Sequence, residues 1–139
     1  MGAILVADDD RTCRDSIQKV LEREGHCVQT ADTVDRALDA LTKSHFDLVV
    51  CDYRMQGKTG LDLLVELKRR EMAVPVLMIS AYADALAEDA IFRMGALDLL
   101  KKPIRRQDLV SRAAMIAGGE YARESCSECN PVAKRGSAS

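Results

Sequence analysis

Residues Ile4–Asp15 read ILVADDDRTCRD. A short apolar run, Ile4 to Ala7, stops at three consecutive aspartates, Asp8, Asp9 and Asp10. Apolar residues then recur at helical spacing: Cys13, Ile17, Val20 and Leu21. The stretch therefore reads as a buried strand, an acidic turn and an amphipathic helix. Gly25 is placed to end that helix in the left-handed conformation.

The same alternation continues outward. Cys27 to Thr30 is a second strand, half apolar and half polar, and Val34, Ala37, Leu38 and Leu41 line a second helix. Leu48 to Cys51 is a third strand, followed by a loop with Gly57 and Gly60 and a third helix that Leu61, Leu64 and Val65 begin. Val76 to Ile79 is a fourth strand, and Ala87, Ala90, Ile91 and Met94 mark a fourth helix closed by Gly95. Leu97 to Leu100 is a fifth strand, interrupted by Asp98, and Leu109, Ala113, Ile116 and Ala117 line a fifth helix before Gly118 and Gly119.

Strands alternating with helices predict an α/β domain with a parallel sheet covered on both faces. Strands one, three and four are apolar throughout, as strands buried on both faces must be. Strands two and five carry polar residues and read as edges. The flavodoxin-like doubly wound order 2-1-3-4-5 places those two outside, and that five-stranded, five-helix architecture is the expectation. Residues 1–119 form the predicted domain. Residues 120–139 lose periodicity, turn rich in Ser, Glu and Ala, and read as a tail or linker.

Composition sets the outer limits. The chain has 139 residues, 47% hydrophobic and 30% charged, enough for one core in one domain. A net charge of −2 gives no global attraction to nucleic acid or membrane. No apolar run approaches the length of a membrane span, and the N-terminus lacks the basic flank of a secretory signal, so a cytoplasmic protein is expected. Of five cysteines, Cys13, Cys27 and Cys51 sit in apolar patterns and read as reduced core residues. Cys126 and Cys129 form a lone C-x-x-C without the further ligands a zinc site needs.

In such a sheet ligands bind beyond the carboxyl ends of the strands. Strand one is followed there by Asp8, Asp9 and Asp10, strand three by Asp52, strand four by Ser80, and strand five by Lys102. Each is unremarkable alone: an aspartate before a helix is a cap, a serine a turn, a lysine a surface charge. Four strands delivering polar groups to one rim is a different matter. Two carboxylates about 5 Å apart repel by roughly 3 kcal/mol at an effective dielectric near 20. A helix dipole offsets about 1 kcal/mol of that. A hard divalent cation offsets far more, and few protein ligands with open positions favour Mg²⁺. Asp10 then reads as the helix cap, and Asp8 and Asp9 as the cation pair. A carboxylate beside Mg²⁺ is also a nucleophile toward phosphorus, with Lys102 and Ser80 available to the phosphoryl oxygens.

The stretches VADDD at strand one, VVCDYRM…G from Val49 to Gly60, VLMISA at strand four and LLKKPI at strand five resemble a response-regulator receiver domain of two-component signalling. The resemblance covers about Ala3 to Gly119. It implies that Asp52 is the phosphoacceptor, that Asp9, Asp52 and the Arg54 backbone carbonyl bind Mg²⁺, and that Asp8 acts through water. It implies that Ser80 contacts the phosphoryl group, that Lys102 pairs with it, and that the Lys102–Pro103 bond is cis. It implies further that a sensor histidine kinase or phosphotransfer protein donates the phosphoryl group. The face of helix four, strand five and helix five would then change, with homodimerisation or effector docking through that face. KKPIRR, Lys101 to Arg106, borders it and reads first as solvated charge. No nucleic-acid-binding module is visible, and the flavour of the motifs is similar to receivers of nitrogen-regulator-like transcription activators.

Three departures from the family pattern carry expectations. Gln56 follows Met55 where proline is usual, which predicts a looser loop with intact chemistry. Leu99 stands where Tyr or Phe is frequent, which predicts a weaker or different read-out than an aromatic switch coupled to Ser80. Arg54 and Tyr82 occupy positions that tune dephosphorylation in the family. Two other readings stay open. Asp8-x-Asp10-x-Thr12 fits a haloacid-dehalogenase-type phosphatase with Asp8 as nucleophile, although only Asp108 stands near where that family needs an acidic cluster, and Asp52 would have no role. A pseudo-receiver that binds partners without being phosphorylated is the other. No enzyme activity beyond self-phosphotransfer and autodephosphorylation is expected of a receiver.

Overall fold

Ten elements alternate along the chain: β1 (Ala3–Ala7), α1 (Arg11–Arg23), β2 (Cys27–Ala31), α2 (Val34–Lys43), β3 (Leu48–Asp52), α3 (Gly60–Arg69), β4 (Val76–Ser80), α4 (Ala85–Arg93), β5 (Asp98–Lys101) and α5 (Arg106–Ile116). The structure is a computed structural model and describes residues 2–81 and 85–117, with the backbone alone for 85–87. The predicted tail, Cys126, Cys129, Tyr82, Gly118 and Gly119 lie outside the described residues. The five strands form one parallel sheet in the expected flavodoxin-like order β2-β1-β3-β4-β5, with β2 and β5 at the edges as the polarity of the strands predicts.

Every residue of β1, β3 and β4 is buried, whereas β2 and β5 are only partly so. The alternation of side chains along each strand builds two cores. Ile4, Val6, Leu48, Val50, Leu77 and Ile79 face α1 and α5, meeting Ile17, Leu21, Leu109 and Ala113. Leu5, Ala7, Val49, Cys51 and Met78 face the other layer, meeting Val34, Leu38, Leu63, Leu64 and Ile91. Each fully buried leucine contributes about 2 kcal/mol of apolar burial. Among the described residues, no helix is long and apolar enough to cross a membrane.

β2, β3 and β4 each run one residue beyond the reading of the sequence, and two apolar residues sit differently from it. On α3 the core face is Leu63, Leu64 and Leu67, and Val65 is 44% exposed. Leu61, Leu63, Leu64, Val65 and Leu67 crowd one segment, so periodicity there does not determine the phase of the helix. β5 starts one residue late. Leu97 lies before the strand and is 56% exposed, although its amide already donates to the Val76 carbonyl.

The connections at the strand ends follow from local chemistry. Asp10 caps α1, its side chain accepting from the Thr12 amide at 3.0 Å. Gly25, at φ +92°, closes α1: its amide donates to the Glu22 carbonyl and the His26 amide to the Leu21 carbonyl. Gly60 opens α3 where a Cβ would collide with the Met78 thioether.

Candidate phosphoacceptor and cation site

Register places the chemistry on one rim. Ala7 is paired with Cys51, Asp52 with Ile79, and Ser80 with Lys101. Asp8, Asp52, Ser80 and Lys102 therefore stand at or just past the carboxyl ends of the four strands β1, β3, β4 and β5. Carboxylate oxygens of Asp8, Asp9 and Asp52 lie within 4.8 Å of one another. The structure thus brings together the acids that the sequence separates by more than forty positions.

Each acid has a distinct environment. Asp9 is exposed, while Asp8 and Asp52 are buried. Asp8 Oδ1 accepts from the Asp10 amide at 2.9 Å. Asp8 Oδ2 is buried without a hydrogen-bond partner, the one such side-chain oxygen or nitrogen among the described residues. Leaving a buried acceptor unsatisfied costs about 1–3 kcal/mol, more for a charged group. Three converging carboxylates with an orphaned buried oxygen suit a hard cation with oxygen ligands, so the donor set fits Mg²⁺.

Asp52 accepts from two donors. Lys102 Nζ donates to its Oδ2 at 2.9 Å, and the Arg54 amide to its Oδ1 at 3.3 Å. Burial raises the Asp52 carboxyl above its ordinary range; the Lys102 hydrogen bond opposes this and the charge of Asp8 adds to it. Burial works against the Lys102 ammonium, but its bond to Asp52 and the surrounding acids outweigh that and hold its pKa up. Ser80 is buried at the end of β4, and its carbonyl accepts from the Lys102 amide at 2.8 Å. The Lys102–Pro103 bond is cis, as the resemblance implies.

The loop that lacks the family's proline is closed by other means. The Met55 amide donates to the Lys58 carbonyl at 3.1 Å, Arg54 pairs with Thr59, and Lys58 reaches Asp35 on α2 at 2.8 Å. Of the basic run, Lys101 is tied to Glu88 on α4 at 3.1 Å, not left in solvent alone. Asp10, which the phosphatase reading needs as acid/base, is engaged in capping α1.

Two residues at the rim were not legible as such. Cys13 is half-buried beside Asp8; burial first, and then the contact with Asp8, push its thiol up to about 12. It is thus a protonated thiol bordering the site as well as a core residue. Arg14 donates from Nη1 to the Asp8 carbonyl at 2.9 Å. An arginine in a first helical turn carries no sequence signal that separates it from a surface charge.

Comparison with known proteins agrees with this geometry. FixJ of Bradyrhizobium diazoefficiens, a transcriptional regulatory protein, is 33% identical over 96% of this chain and 63% of its own length. The DNA-binding transcriptional regulator NtrC of Klebsiella pneumoniae is 33% identical over 79% of this chain and 24% of its own. The crystal structure of the receiver domain of NtrX from Brucella abortus superposes with a TM-score of 0.76 at 36% identity, covering 81% of this chain and 96% of that one. The chain spans less than two thirds of the length of these curated relatives. The family model of the response regulator receiver domain matches residues 4–114, and the chain belongs to that family.

Proposed function

We propose that this chain is the phosphorylatable receiver of a two-component system and that Asp52 accepts the phosphoryl group from a sensor histidine kinase or phosphotransfer protein. The observation that carries the reading is the meeting of Asp8, Asp9 and Asp52 at one rim, with one buried oxygen of Asp8 unsatisfied and Asp52 held by Lys102. In the transfer a carboxylate oxygen of Asp52 forms the new bond to phosphorus. The bond from phosphorus to the donor's imidazole nitrogen breaks, and its electron pair stays on that nitrogen. Asp8, Asp9, Asp52 and the Arg54 carbonyl would hold Mg²⁺, which when bound supplies positive charge to the phosphoryl oxygens. Lys102 leaves the carboxylate for a phosphoryl oxygen, and Ser80 contributes a hydrogen bond. Arg54 and Tyr82 shade the acyl phosphate from water.

The adduct adds about −1.5 to −2 charge at the rim. Lys102 and Ser80 follow it, and the α4–β5–α5 face moves between two arrangements that the unphosphorylated protein already samples. Leu99 repacks in place of an aromatic switch. Residues 1–119 form the receiver and 120–139 a tail or linker. The face serves a homodimer or an effector, and by analogy with FixJ and NtrC the output is transcriptional; this segment itself contacts neither nucleic acid nor membrane. It works in the cytoplasm and catalyses nothing beyond its own phosphotransfer and dephosphorylation.

Beryllofluoride, an acyl-phosphate mimic, tests the reading. Added with Mg²⁺ it raises the melting temperature and shifts the amide signals of Ser80, Lys102 and α4–β5–α5, and Asp52→Asn abolishes both effects. No response in the wild type identifies an inert pseudo-receiver.

A further inference from the structure

Arg14 sits in the first turn of α1, the end of the helix where a positive charge is unfavourable. No residue within the turn itself is acidic; the carboxylate at its start is that of the cap, Asp10. A local choice that conflicts with the element it sits in marks a site where something else is gained. Here the guanidinium turns back past the helix start. Its Nη1 donates to the Asp8 carbonyl at 2.9 Å, in a partly buried bond spanning six residues.

That carbonyl belongs to the residue whose own carboxylate is half satisfied. Asp8 is fixed by three backbone-directed contacts: its amide donates to the Ala31 carbonyl at 3.1 Å, its Oδ1 accepts from the Asp10 amide, and its carbonyl accepts from Arg14. The first two hold the strand end and the start of the turn. The third holds the peptide unit joining Asp8 to Asp9, and that unit sets the direction of both side chains. Without it the turn can relax so that the acids splay apart, which their mutual repulsion favours.

We infer that Arg14 is a positioning residue for the cation site: by gripping the Asp8 carbonyl it holds Asp8 and Asp9 in binding geometry against their repulsion. The inference rests on the reading of the rim as a cation site, and the sign of one effect separates it from simple electrostatics. Arg14 brings a positive charge near the cation. If charge were its whole role, removing it would tighten Mg²⁺ binding. If it positions the ligands, removal weakens binding.

Isothermal calorimetry of the whole chain with MgCl₂ reads this directly. Arg14→Gln, which is too short to reach the carbonyl, is expected to weaken Mg²⁺ about tenfold, the low end for residues that orient metal ligands. Arg14→Lys, which keeps the charge and one donor, recovers most of that loss. Unchanged or tighter binding in Arg14→Gln overturns the proposal, as does an equal loss in Arg14→Lys. A wild type that binds no Mg²⁺ overturns the cation site itself. Should Arg14→Gln not fold, exchange of the Arg14 guanidinium protons in the wild type decides. Slow exchange, slowed again by Mg²⁺, supports the grip, and free exchange overturns it.

Discussion

The two ends of the sheet both bury aspartate, and they treat it in opposite ways. At the amino end, Asp47 is 6% exposed; its Oδ2 accepts from the Ala3 amide at 2.9 Å and its Oδ1 lies 3.5 Å from His45. Beside it the buried His26 accepts from the Gly2 amide at 3.0 Å. At the carboxyl end, Asp8 is 1% exposed and one of its oxygens has no partner, with two further acids close by. The amino end uses buried polar groups as staples that fix the start of β1. The carboxyl end leaves a buried oxygen of Asp8 without a donor, at a cost to the stability of the cation-free protein.

The contrast has consequences that can be measured, and the largest concerns pH. Burial lowers the His26 pKa from 6.5 to about 4. Between these values the unfolded chain binds the proton and the folded one does not. The contribution is complete above pH 6.5 and is lost as pH falls through 4, amounting to about 3 kcal/mol. Asp52 has the opposite slope, because its raised pKa means that protonation relieves the folded state. Urea unfolding of the metal-free protein as a function of pH is therefore expected to show a net loss on acidification. His26→Gln flattens that loss; an unchanged slope in this variant contradicts the staple at the amino end.

The next effect compares one substitution at the two ends. Asp47→Asn replaces a charge-assisted acceptor in a filled network and is expected to destabilise by about 1–2 kcal/mol. Asp8→Asn keeps the bond to the Asp10 amide while removing one of three repelling charges. It is expected to stabilise the metal-free protein by about 1 kcal/mol, a fraction of the full pair repulsion because Lys102 already shields Asp52. The same change is expected to remove most of the Mg²⁺ affinity. Melting temperatures of both variants, with and without Mg²⁺, check this. Equal signs at the two ends would erase the distinction between staple and site.

Only half of this distinction was legible in the sequence: Asp8 follows an apolar run, at the strand end where ligands bind, whereas nothing marked Asp47, which precedes one, as a staple. What was legible rests on regular patterns. Strand polarity identified the edges of the sheet, and the residue after each strand then supplied Asp8, Asp52, Ser80 and Lys102, because parallel topology puts those positions on one rim. What was not legible depends on tertiary partners or on ambiguous phase. The leucines of α3 allowed Val65 a place on the wrong face, and apolar Leu97 was drawn into β5 although it lies exposed before it. Arg14 could be recognised only once the helix and the Asp8 carbonyl were in place. Whether a buried oxygen has a donor is likewise decided by residues distant in sequence, as Ala3 and Asp47 show.

The most direct test of the site is chemical. The protein is incubated with acetyl phosphate and Mg²⁺, any acyl phosphate is reduced with borohydride, and the modified residue is located by peptide mass spectrometry. The adduct is expected on Asp52, dependent on Mg²⁺ and absent from Asp52→Asn. An adduct on Asp8, or an unmodified wild type at saturating metal, would contradict the assignment of Asp52 as the phosphoacceptor.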